Sequence, residues 1–469
     1  MRKISLNEAK SLVRELVEKK EFPESEAALF QKLLWAFVEL GEATDAFKKG
    51  RDWDVIVEEL MDTIFYIMDF VGLVEKTQQI QLDLDDIFLK KWEKNLQRPN
   101  YFGLRKDLPY SPAIVPKPPK KLTIEIVKKC HNKCVYCSAY VSEEDAERVL
   151  SEKNAKQIID QYLLLGGQEL NISGGEPLLH PKWYDIATYA KSKGLKVRLF
   201  SCGILSEKYV EDTELSETID RIVKTGFDSV EMTLHAPYST MHDEITKVEG
   251  SFKNTYRFIK LLSSKIDNLE VNFVPMQINA DELEELVDFV VGLGIKRLNI
   301  LRFIPQGRGL VNKDWLSLKK DQLSRLVRVA LNLSKRSDID VNIGHPGDFT
   351  FLLDKSRVPK LCTAGIEQCM VKINGDVVPC PAFGDLKEWV AGNVFRQRLE
   401  EIWTNSPILV ALREFDHMRM QGQCKLCEHL SICQGRCPAE RIRANGALYR
   451  GPDPGCPKNY IRNTQTGSE

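Results

Sequence analysis

Three cysteines at the end of an apolar segment constrain this chain more than any other feature. The run from Leu122 to Val127 predicts a strand, and Cys130, Cys134 and Cys137 follow it at C-x3-C-x2-C spacing. Thiolates are the ligands of iron–sulfur clusters, and a cubane cluster has four irons. Three thiolates from one cysteine loop (residues 130–137) therefore leave one iron open to a cofactor. A zinc knuckle or buried structural thiols are the alternatives.

The cysteine loop resembles the signature of the radical SAM superfamily. In that family the residue before the last cysteine is usually aromatic and packs near the adenine, and here it is Tyr136. The stretch Gly174-Gly175-Glu176-Pro177 follows a strand-like run and resembles the turn whose backbone binds the methionine amine. The resemblance implies that the loop cluster binds S-adenosylmethionine (SAM) and cleaves it reductively. The product is a 5′-deoxyadenosyl radical that abstracts a hydrogen atom from a substrate.

Size and composition predict a multidomain protein. At 469 residues the chain is too long for one hydrophobic core, and 43% hydrophobic with 28% charged residues is typical of a globular protein. The net charge of −1 gives no reason to expect nucleic acid or a membrane as a partner. The first residues lack the apolar core of a signal peptide, so a cytoplasmic location is expected. In a reducing compartment, clustered cysteines indicate metal rather than disulfides.

Residues 1–105 are predicted to form an all-α helical bundle. Two of its helices carry acidic pairs, Glu39 with Glu42 and Glu59 with Asp62, and residues three apart share a helix face. Solvated acidic faces are the simpler explanation, although both pairs lie among apolar neighbours. The spacing resembles that of the MazG-like nucleoside triphosphate pyrophosphohydrolases. This resemblance implies that the four carboxylates bind Mg2+.

A central α/β domain is predicted after a Pro-rich linker. The linker covers residues 106–120 and should act as a spacer. Strand-like and helix-like segments alternate over residues 121–345, and six such repeats imply parallel strands. The radical SAM resemblance implies a partial (β/α)6 barrel with its chemistry at the C-terminal ends of the strands.

Several residues near the predicted strand ends are candidate cofactor contacts. Thr233 and Gln277 could reach the ribose of SAM, and Arg302 could meet its carboxylate or a substrate phosphate. Ordinary polar residues at a barrel rim explain these side chains equally well. Cys202, also at a strand end, is expected to be a free thiol. The sequence identifies no catalytic residue.

The C-terminal part, residues 346–469, holds eight cysteines. Their spacing resembles the SPASM extension of radical SAM enzymes, and eight thiolates suffice for two fully ligated cubanes. A zinc ribbon would use only four of them. The resemblance implies one cluster on Cys362, Cys369, Cys380 and Cys437, and a second on Cys424, Cys427, Cys433 and Cys456.

These features together predict a radical SAM enzyme with three [4Fe–4S] clusters. The MazG-like domain favours a nucleotide or nucleotide-derived small molecule as substrate, and that domain is also a candidate for homo-oligomer formation. The alternative is a peptide- or protein-modifying SPASM enzyme whose helical domain serves for docking or dimerisation. An electron carrier with a degenerate barrel is a third hypothesis, which the intact cysteine loop argues against. A reductant such as flavodoxin or ferredoxin is an expected partner.

Overall fold

The computed structural model describes residues 4–96, 116–138, 147–206 and 210–458. The chain divides into two compact units, residues 1–103 and 104–469. The predicted Pro-rich linker lies outside the described residues up to residue 115.

The described part of the first unit consists of helices. They are α1 (Leu6–Lys19), α2 (Ala28–Lys48), α3 (Trp53–Gln78) and α4 (Leu84–Leu96). Helix α1 begins with a capping box, in which Ser5 Oγ accepts from the Glu8 N–H and the Glu8 carboxylate accepts from the Ser5 N–H. Helix α2 packs mainly against α3, and α1 packs against α3 and α4. This all-α architecture agrees with the sequence pattern.

Ion pairs between helices stabilise the interior of the first unit. Asp69 of α3 is buried and pairs with Lys32 of α2 and with Arg14 of α1. A buried carboxylate without such partners would be strongly destabilising. Part of the apolar surface of α2, by contrast, faces outward, with Phe30 73% and Phe37 72% exposed. The apolar residues of α2 therefore do not all serve the core of this unit.

The second unit is built around a ten-stranded sheet. In chain order the strands are β1 (Lys121–Val127), β2 (Glu169–Gly174), β3 (Lys196–Ser201), β4 (Ser229–Thr233), β5 (Leu269–Phe273), β6 (Arg297–Ile300), β7 (Asp340–Ile343), β8 (Gln368–Val371), β9 (Asp376–Val378) and β10 (Gly392–Asn393). Strands β1 to β7 are parallel and lie side by side in chain order. Strand β8 pairs parallel with the other side of β1, and β9 and β10 continue antiparallel.

The parallel part of the sheet is larger than the sequence predicts. Six repeats are predicted, whereas β7 adds a seventh parallel strand and β8 an eighth. Both strands have only four residues. In so short a segment, an alternation of apolar and polar residues cannot be recognised from the sequence. Because β7 and β10 are the two edges, the sheet is an open, partial barrel.

Helices of the second unit connect these strands and cover the sheet. They are α5 (Glu152–Leu164), α6 (Trp183–Ser192), α7 (Asp212–Thr225), α8 (Ser239–Thr246), α9 (Ser251–Ser263), α10 (Leu283–Gly292), α11 (Arg308–Val311), α12 (Lys313–Leu316), α13 (Lys320–Leu333), α14 (Leu399–Asn405), α15 (Pro407–Arg413), α16 (Leu430–Cys433) and α17 (Pro438–Asn445). Two short strands, β11 (Gln421–Gly422) and β12 (Arg450–Gly451), pair near the C-terminal end. Among the helices in the described ranges, none is long and apolar enough to cross a bilayer.

The two faces of the parallel sheet differ in polarity. The face covered by helices belongs to the large apolar core. The inner face carries polar side chains that hydrogen-bond from strand to strand. Asn272 donates to Glu231 (2.9 Å), Asn299 donates to Glu270 (2.8 Å), and Asn342 donates to Asn299 (2.8 Å). Because these buried and half-buried groups hydrogen-bond across the strands, they hold neighbouring strands in register near the C-terminal strand ends.

Candidate active site

The three thiols of the cysteine loop lie together just after the C-terminal end of β1. Each of these cysteines is partly exposed. Burial of the Cys134 thiol, together with the nearby thiols of Cys137 and Cys130, raises its pKa well above the ordinary value. Three ionised thiols this close would repel one another, and a bound iron–sulfur cluster removes that repulsion. The donor set therefore fits a cluster held by this loop.

The Gly174–Pro177 turn contacts the backbone of the cysteine loop. The Gly175 N–H donates to the Val127 carbonyl (2.8 Å), and the Glu176 N–H donates to the Lys129 carbonyl (2.8 Å). A Cβ atom on Gly175 would overlap the Lys129 carbonyl oxygen. The glycine is thus needed here because the two backbone segments approach so closely.

The Glu176 carboxylate is completely buried and hydrogen-bonded within the protein. It accepts from Ser201 Oγ (2.8 Å), from the Cys202 N–H (2.7 Å) and from the Leu178 N–H (3.1 Å). Burial raises the pKa of Glu176, and these hydrogen bonds oppose the rise. The thiol of Cys202 hydrogen-bonds both Glu176 and Cys130. Glu176 therefore joins the ends of β2 and β3, and Cys202 links them to the cysteine loop.

Tyr136 packs against a pair of buried histidines that the sequence pattern did not reveal. Its ring centre lies 5.0 Å from that of His235, edge to face, and His235 lies 5.1 Å from His242. Burial lowers the pKa of His235 well below its usual range and that of His242 to about 3, so both are neutral near pH 7. Ser251 Oγ is 3.4 Å from His242 Nε2 and donates to Asn132 of the loop (3.0 Å). These side chains form a neutral, packed wall beside the loop.

Arg308 also contacts the cysteine loop without having been predicted. Its Nε donates to the Cys134 carbonyl (2.9 Å) and its backbone N–H donates to the Cys137 carbonyl (3.0 Å). A Cβ atom on Gly307 would lie 2.7 Å from the Cys137 oxygen, and Gly309 packs as closely on the loop. Two glycines flanking an arginine after β6 were the signal in the sequence for this close approach.

Arg302, a predicted cofactor contact, forms a buried ion pair with the cysteine-rich region. Both of its Nη groups donate to the Asp453 carboxylate, with 2.8 Å between Nη1 and Oδ2. Burial by itself would lower the pKa of Arg302, but this pairing raises it above the ordinary value. Asp453 also accepts from the Cys437 N–H (3.0 Å). The guanidinium forms a bidentate pair, and the predicted contact of Arg302 with SAM or a phosphate stays a prediction. The pair instead connects the barrel to the cysteine-rich region.

Thr233 and Gln277 occupy the predicted positions near C-terminal strand ends. Thr233 is the half-buried last residue of β4, and Gln277 follows β5. The Gln277 backbone donates to the Leu316 carbonyl (2.8 Å) and accepts from Gln322 (2.9 Å). The ribose contacts of both residues stay predictions.

Four of the C-terminal thiols form one group. Cys456 interacts electrostatically with Cys424, Cys427 and Cys433, and Cys424 also interacts with Cys427. The pairing of β11 with β12 brings these segments together, and a Cβ atom on Gly451 would overlap Cys424 Sγ. The glycine therefore permits the approach of two segments that are distant in sequence, and the four thiols match the ligand set of one cubane.

Three more of the C-terminal thiols form a second group. Cys380 interacts with Cys362 and Cys437. Cys369 interacts instead with Arg413 and with Tyr162 of α5. Its predicted role as a ligand beside the other three stays a prediction.

Three of the four predicted Mg2+ ligands converge in the first unit. Glu39, Glu42 and Glu59 each offer one carboxylate oxygen, and these three oxygens lie within 4.8 Å of one another. Partial burial raises the pKa of Glu39, and the carboxylates of Glu42, Asp62 and Glu59 raise it further. The acidic side chains of α2 and α3 thus face one another.

Comparison with known proteins identifies both cysteine-rich regions. Residues 124–290 match the model of the radical SAM superfamily, and residues 362–428 match the SPASM iron–sulfur cluster-binding domain. The chain contains a radical SAM domain and a SPASM domain. These two domains support a radical SAM enzyme of the SPASM type, with SAM and [4Fe–4S] clusters as cofactors.

The chain is similar to two curated enzymes and to one solved structure that differ in name. The AdoMet-dependent heme synthase of Methanosarcina barkeri is 24% identical over 358 residues, which is 72% of this chain and 96% of that protein. The PqqA peptide cyclase of Gluconobacter oxydans is 26% identical over 346 residues, 73% of this chain and 91% of its own. The structure of Streptococcus suis SuiB bound to precursor peptide SuiA has a TM-score of 0.59 at 18% identity and covers 84% of this chain and 89% of its own.

These comparisons correct the predicted substrate class. One relative is named as a peptide cyclase, and SuiB was solved with a precursor peptide bound. This finding contradicts the prediction that the partner is a nucleotide or nucleotide-derived small molecule. The expectation had rested on the MazG-like resemblance of the first unit. Neither family model extends into residues 1–103, so that resemblance has no support from them.

Proposed function

We propose that this radical SAM enzyme abstracts a hydrogen atom from a peptide and so modifies it. The observation that carries the proposal is the similarity to a peptide cyclase along 73% of the chain. The fold of SuiB, which was solved with a precursor peptide, covers a still larger share. A heme-related molecule is the competing substrate class, because a heme synthase is also among the relatives.

The protein's own residues position the reacting groups and exclude water. Cysteines of the loop would hold the cluster, while Arg308 and Gly175 fix the loop backbone through the contacts described above. When bound there, the cluster and SAM supply a 5′-deoxyadenosyl radical. The neutral His235 and the ring of Tyr136 make one wall of this region, and a packed wall limits side reactions with water.

Substrate-dependent formation of 5′-deoxyadenosine tests the proposal. Anaerobically reconstituted full-length protein with dithionite is given SAM and synthetic peptides encoded by short reading frames beside its gene. A porphyrin and a mixture of nucleoside triphosphates serve as comparison substrates. We expect only a peptide to raise 5′-deoxyadenosine above the rate without substrate, and deuterium from the peptide to appear in it. Stimulation by the porphyrin or the triphosphates alone would show that the substrate class is wrong.

As a second candidate function, we infer that the first unit binds a divalent cation. The convergence of the Glu39, Glu42 and Glu59 carboxylates supports this inference, since hard cations prefer clustered oxygen ligands. A Mg2+ site is also what the resemblance to MazG-like pyrophosphohydrolases implies. Pyrophosphate release is the activity to assay for.

Glu39→Gln is expected to stabilise the metal-free first unit and to abolish its response to Mg2+. Because the folded-state pKa of Glu39 is raised, ionisation of this carboxyl disfavours the folded state. Stability is therefore highest below the usual Glu pKa and falls as pH rises through the raised one. Near neutral pH in EDTA, hydrogen exchange of α2 and α3 should be slower in the variant, whereas Mg2+ should slow exchange only in wild type.

Glu58→Gln is the matched control for this prediction. Glu58 is an exposed carboxylate on α3 outside the acidic group. Its replacement should leave both the EDTA and the Mg2+ results as in wild type. An equal Mg2+ response in wild type and Glu39→Gln would rule out the cation site.

A further inference from the structure

A strained turn lies beside the four-thiol group, which consists of Cys424, Cys427, Cys433 and Cys456. In this turn Gln434, Gly435 and Arg436 all have positive φ, at 51°, 73° and 54°. Left-handed backbone is unfavourable for the two residues that carry a side chain, and it persists only where the surrounding structure requires it. The turn directs the Gly435 N–H to the Cys433 thiol. It therefore fixes which groups stand next to Cys433.

Arg436 is buried in this turn and is not fully hydrogen-bonded. It is 2% exposed. Its Nε donates to the Pro346 carbonyl (3.3 Å) and its Nη1 to the Lys360 carbonyl (3.4 Å), whereas Nη2 has no hydrogen-bond partner among the described residues. Burial lowers the pKa of Arg436, and the strongest opposing influence is the Cys433 thiol, ahead of the Asp348 carboxylate. A buried guanidinium needs a counter-charge, and the unpaired Nη2 needs an acceptor.

Two phenylalanine rings place Arg436 and Cys433 side by side. The guanidinium lies over the ring of Phe349 at 5.4 Å and over that of Phe351 at 5.9 Å. Cys433 packs against the buried cluster to which both rings belong. The face of an aromatic ring attracts a cation, and the packed rings also keep water away from it. Arg436 thus shares the packed surroundings of one thiol of the four-thiol group.

Lys458 brings a second cation to a different thiol of the group. Its Nζ donates to Cys427 Sγ at 3.2 Å. The Glu428 carboxylate lies 3.8 Å from the same Nζ but is more than half exposed, so water screens that pair. A third cation, the buried Arg441, acts on Cys424 and is shared with the three-thiol group. The charge of Lys458, like that of Arg436, therefore acts mainly on the four-thiol group.

We propose that Arg436 and Lys458 supply the counter-charge of a cluster held by the four-thiol group and raise its reduction potential. Four thiolates make such a cluster anionic, and reduction by one electron adds a further negative charge. Fixed cations stabilise the reduced cluster more than the oxidised one. The unpaired Nη2 of Arg436 is also available to donate to a sulfur, which tunes the potential further. The proposal rests on a cluster in this group and is independent of the peptide substrate.

A redox titration followed by electron paramagnetic resonance tests the proposal. The background is full-length, anaerobically reconstituted protein in which the three cysteines of the cysteine loop are alanine, so that only the SPASM clusters contribute. Dithionite is the reductant, and the signal that is lost in Cys456→Ala belongs to the four-thiol group. We expect Arg436→Gln and Lys458→Gln each to shift the midpoint potential of this signal to more negative values. Arg436→Lys, which keeps the charge, should reverse most of the shift.

Lys425→Gln is the matched control for these variants. Lys425 is an exposed lysine between Cys424 and Cys427, and the interactions of the thiols within the described ranges do not involve it. Because water screens its charge, the potential should stay as in the background protein. Lys458→Gln should keep about eight irons, so that its shift is measured on intact clusters. The proposal fails if this variant has the potential of the background protein or of Lys425→Gln. It also fails if Arg436→Lys and Arg436→Gln have the same potential.

Discussion

Replacing Cys130, Cys134 and Cys137 together by alanine is expected to abolish SAM cleavage and to remove about a third of the enzyme's iron. Three [4Fe–4S] clusters contain about twelve irons, and the cysteine loop would supply the protein ligands of the one that binds SAM. Without this cluster, no electron reaches the carbon–sulfur bond of SAM. The measurements are iron content after anaerobic reconstitution and 5′-deoxyadenosine formation with dithionite.

Cys202→Ala is the matched control for this prediction. The thiol of Cys202 hydrogen-bonds Cys130 and Glu176 but lies outside the C-x3-C-x2-C motif. Its removal leaves the Cys202 backbone hydrogen bond to Glu176 in place. This variant should therefore keep all of its iron. Formation of 5′-deoxyadenosine by the triple variant would refute the assignment of the loop.

Gly175→Ala is expected to destabilise the turn and to release the cluster from the cysteine loop. The new Cβ atom would overlap the carbonyl oxygens of Lys128 and Lys129, which are backbone atoms and cannot rotate away. Relief requires that the turn move and break the 2.8 Å hydrogen bond from the Gly175 N–H to Val127. Overpacking of this kind costs about 1–3 kcal/mol. Thermal unfolding should shift downward, and the loop should lose its cluster, which is about four of about twelve irons.

Gly292→Ala gives the comparison that isolates this close approach. Gly292 is the last residue of α10, and a Cβ atom there would meet nothing within 4 Å. Alanine favours the helix over glycine by up to about 1 kcal/mol, so the stability of this variant should be unchanged or higher. Iron content should equal that of wild type. Equal melting temperatures and iron contents for the two alanine variants would mean that the turn does not hold the loop.

Local motifs were sufficient to predict much of the candidate site. Cys130, Cys134 and Cys137 are consecutive ligands in one short loop, so their proximity follows from their spacing in the sequence alone. The same holds for the Gly174–Pro177 turn, whose glycines indicate a close backbone approach. Helices of the first unit were recognisable from their period and from the Ser5 capping box. In each case the decisive interactions join residues that are near in sequence.

Longer-range partners could not be predicted in the same way. Arg302 and Arg308 lie six residues apart after β6 and look alike in the sequence, yet one pairs with Asp453 and the other binds the cysteine loop. The partner of each arginine depends on which distant segments the fold brings next to the chain that follows β6. The same limit applies to Phe37 of α2. Its place in an apolar stripe predicts a buried side chain, but the sequence does not tell whether the first unit covers that side chain.

The sequence by itself determined the cluster-binding loop, the alternation of strands and helices, and the presence of a cysteine-rich C-terminal region, because these depend on residue type and short spacing. Only the tertiary structure decided which cysteines belong to one group. Cys369 is buried in β8 beside Leu122 of β1, whereas Cys380 follows β9 and interacts with Cys362 and Cys437. Such pairings join residues that are far apart in the sequence, so short spacing alone cannot predict which thiols meet.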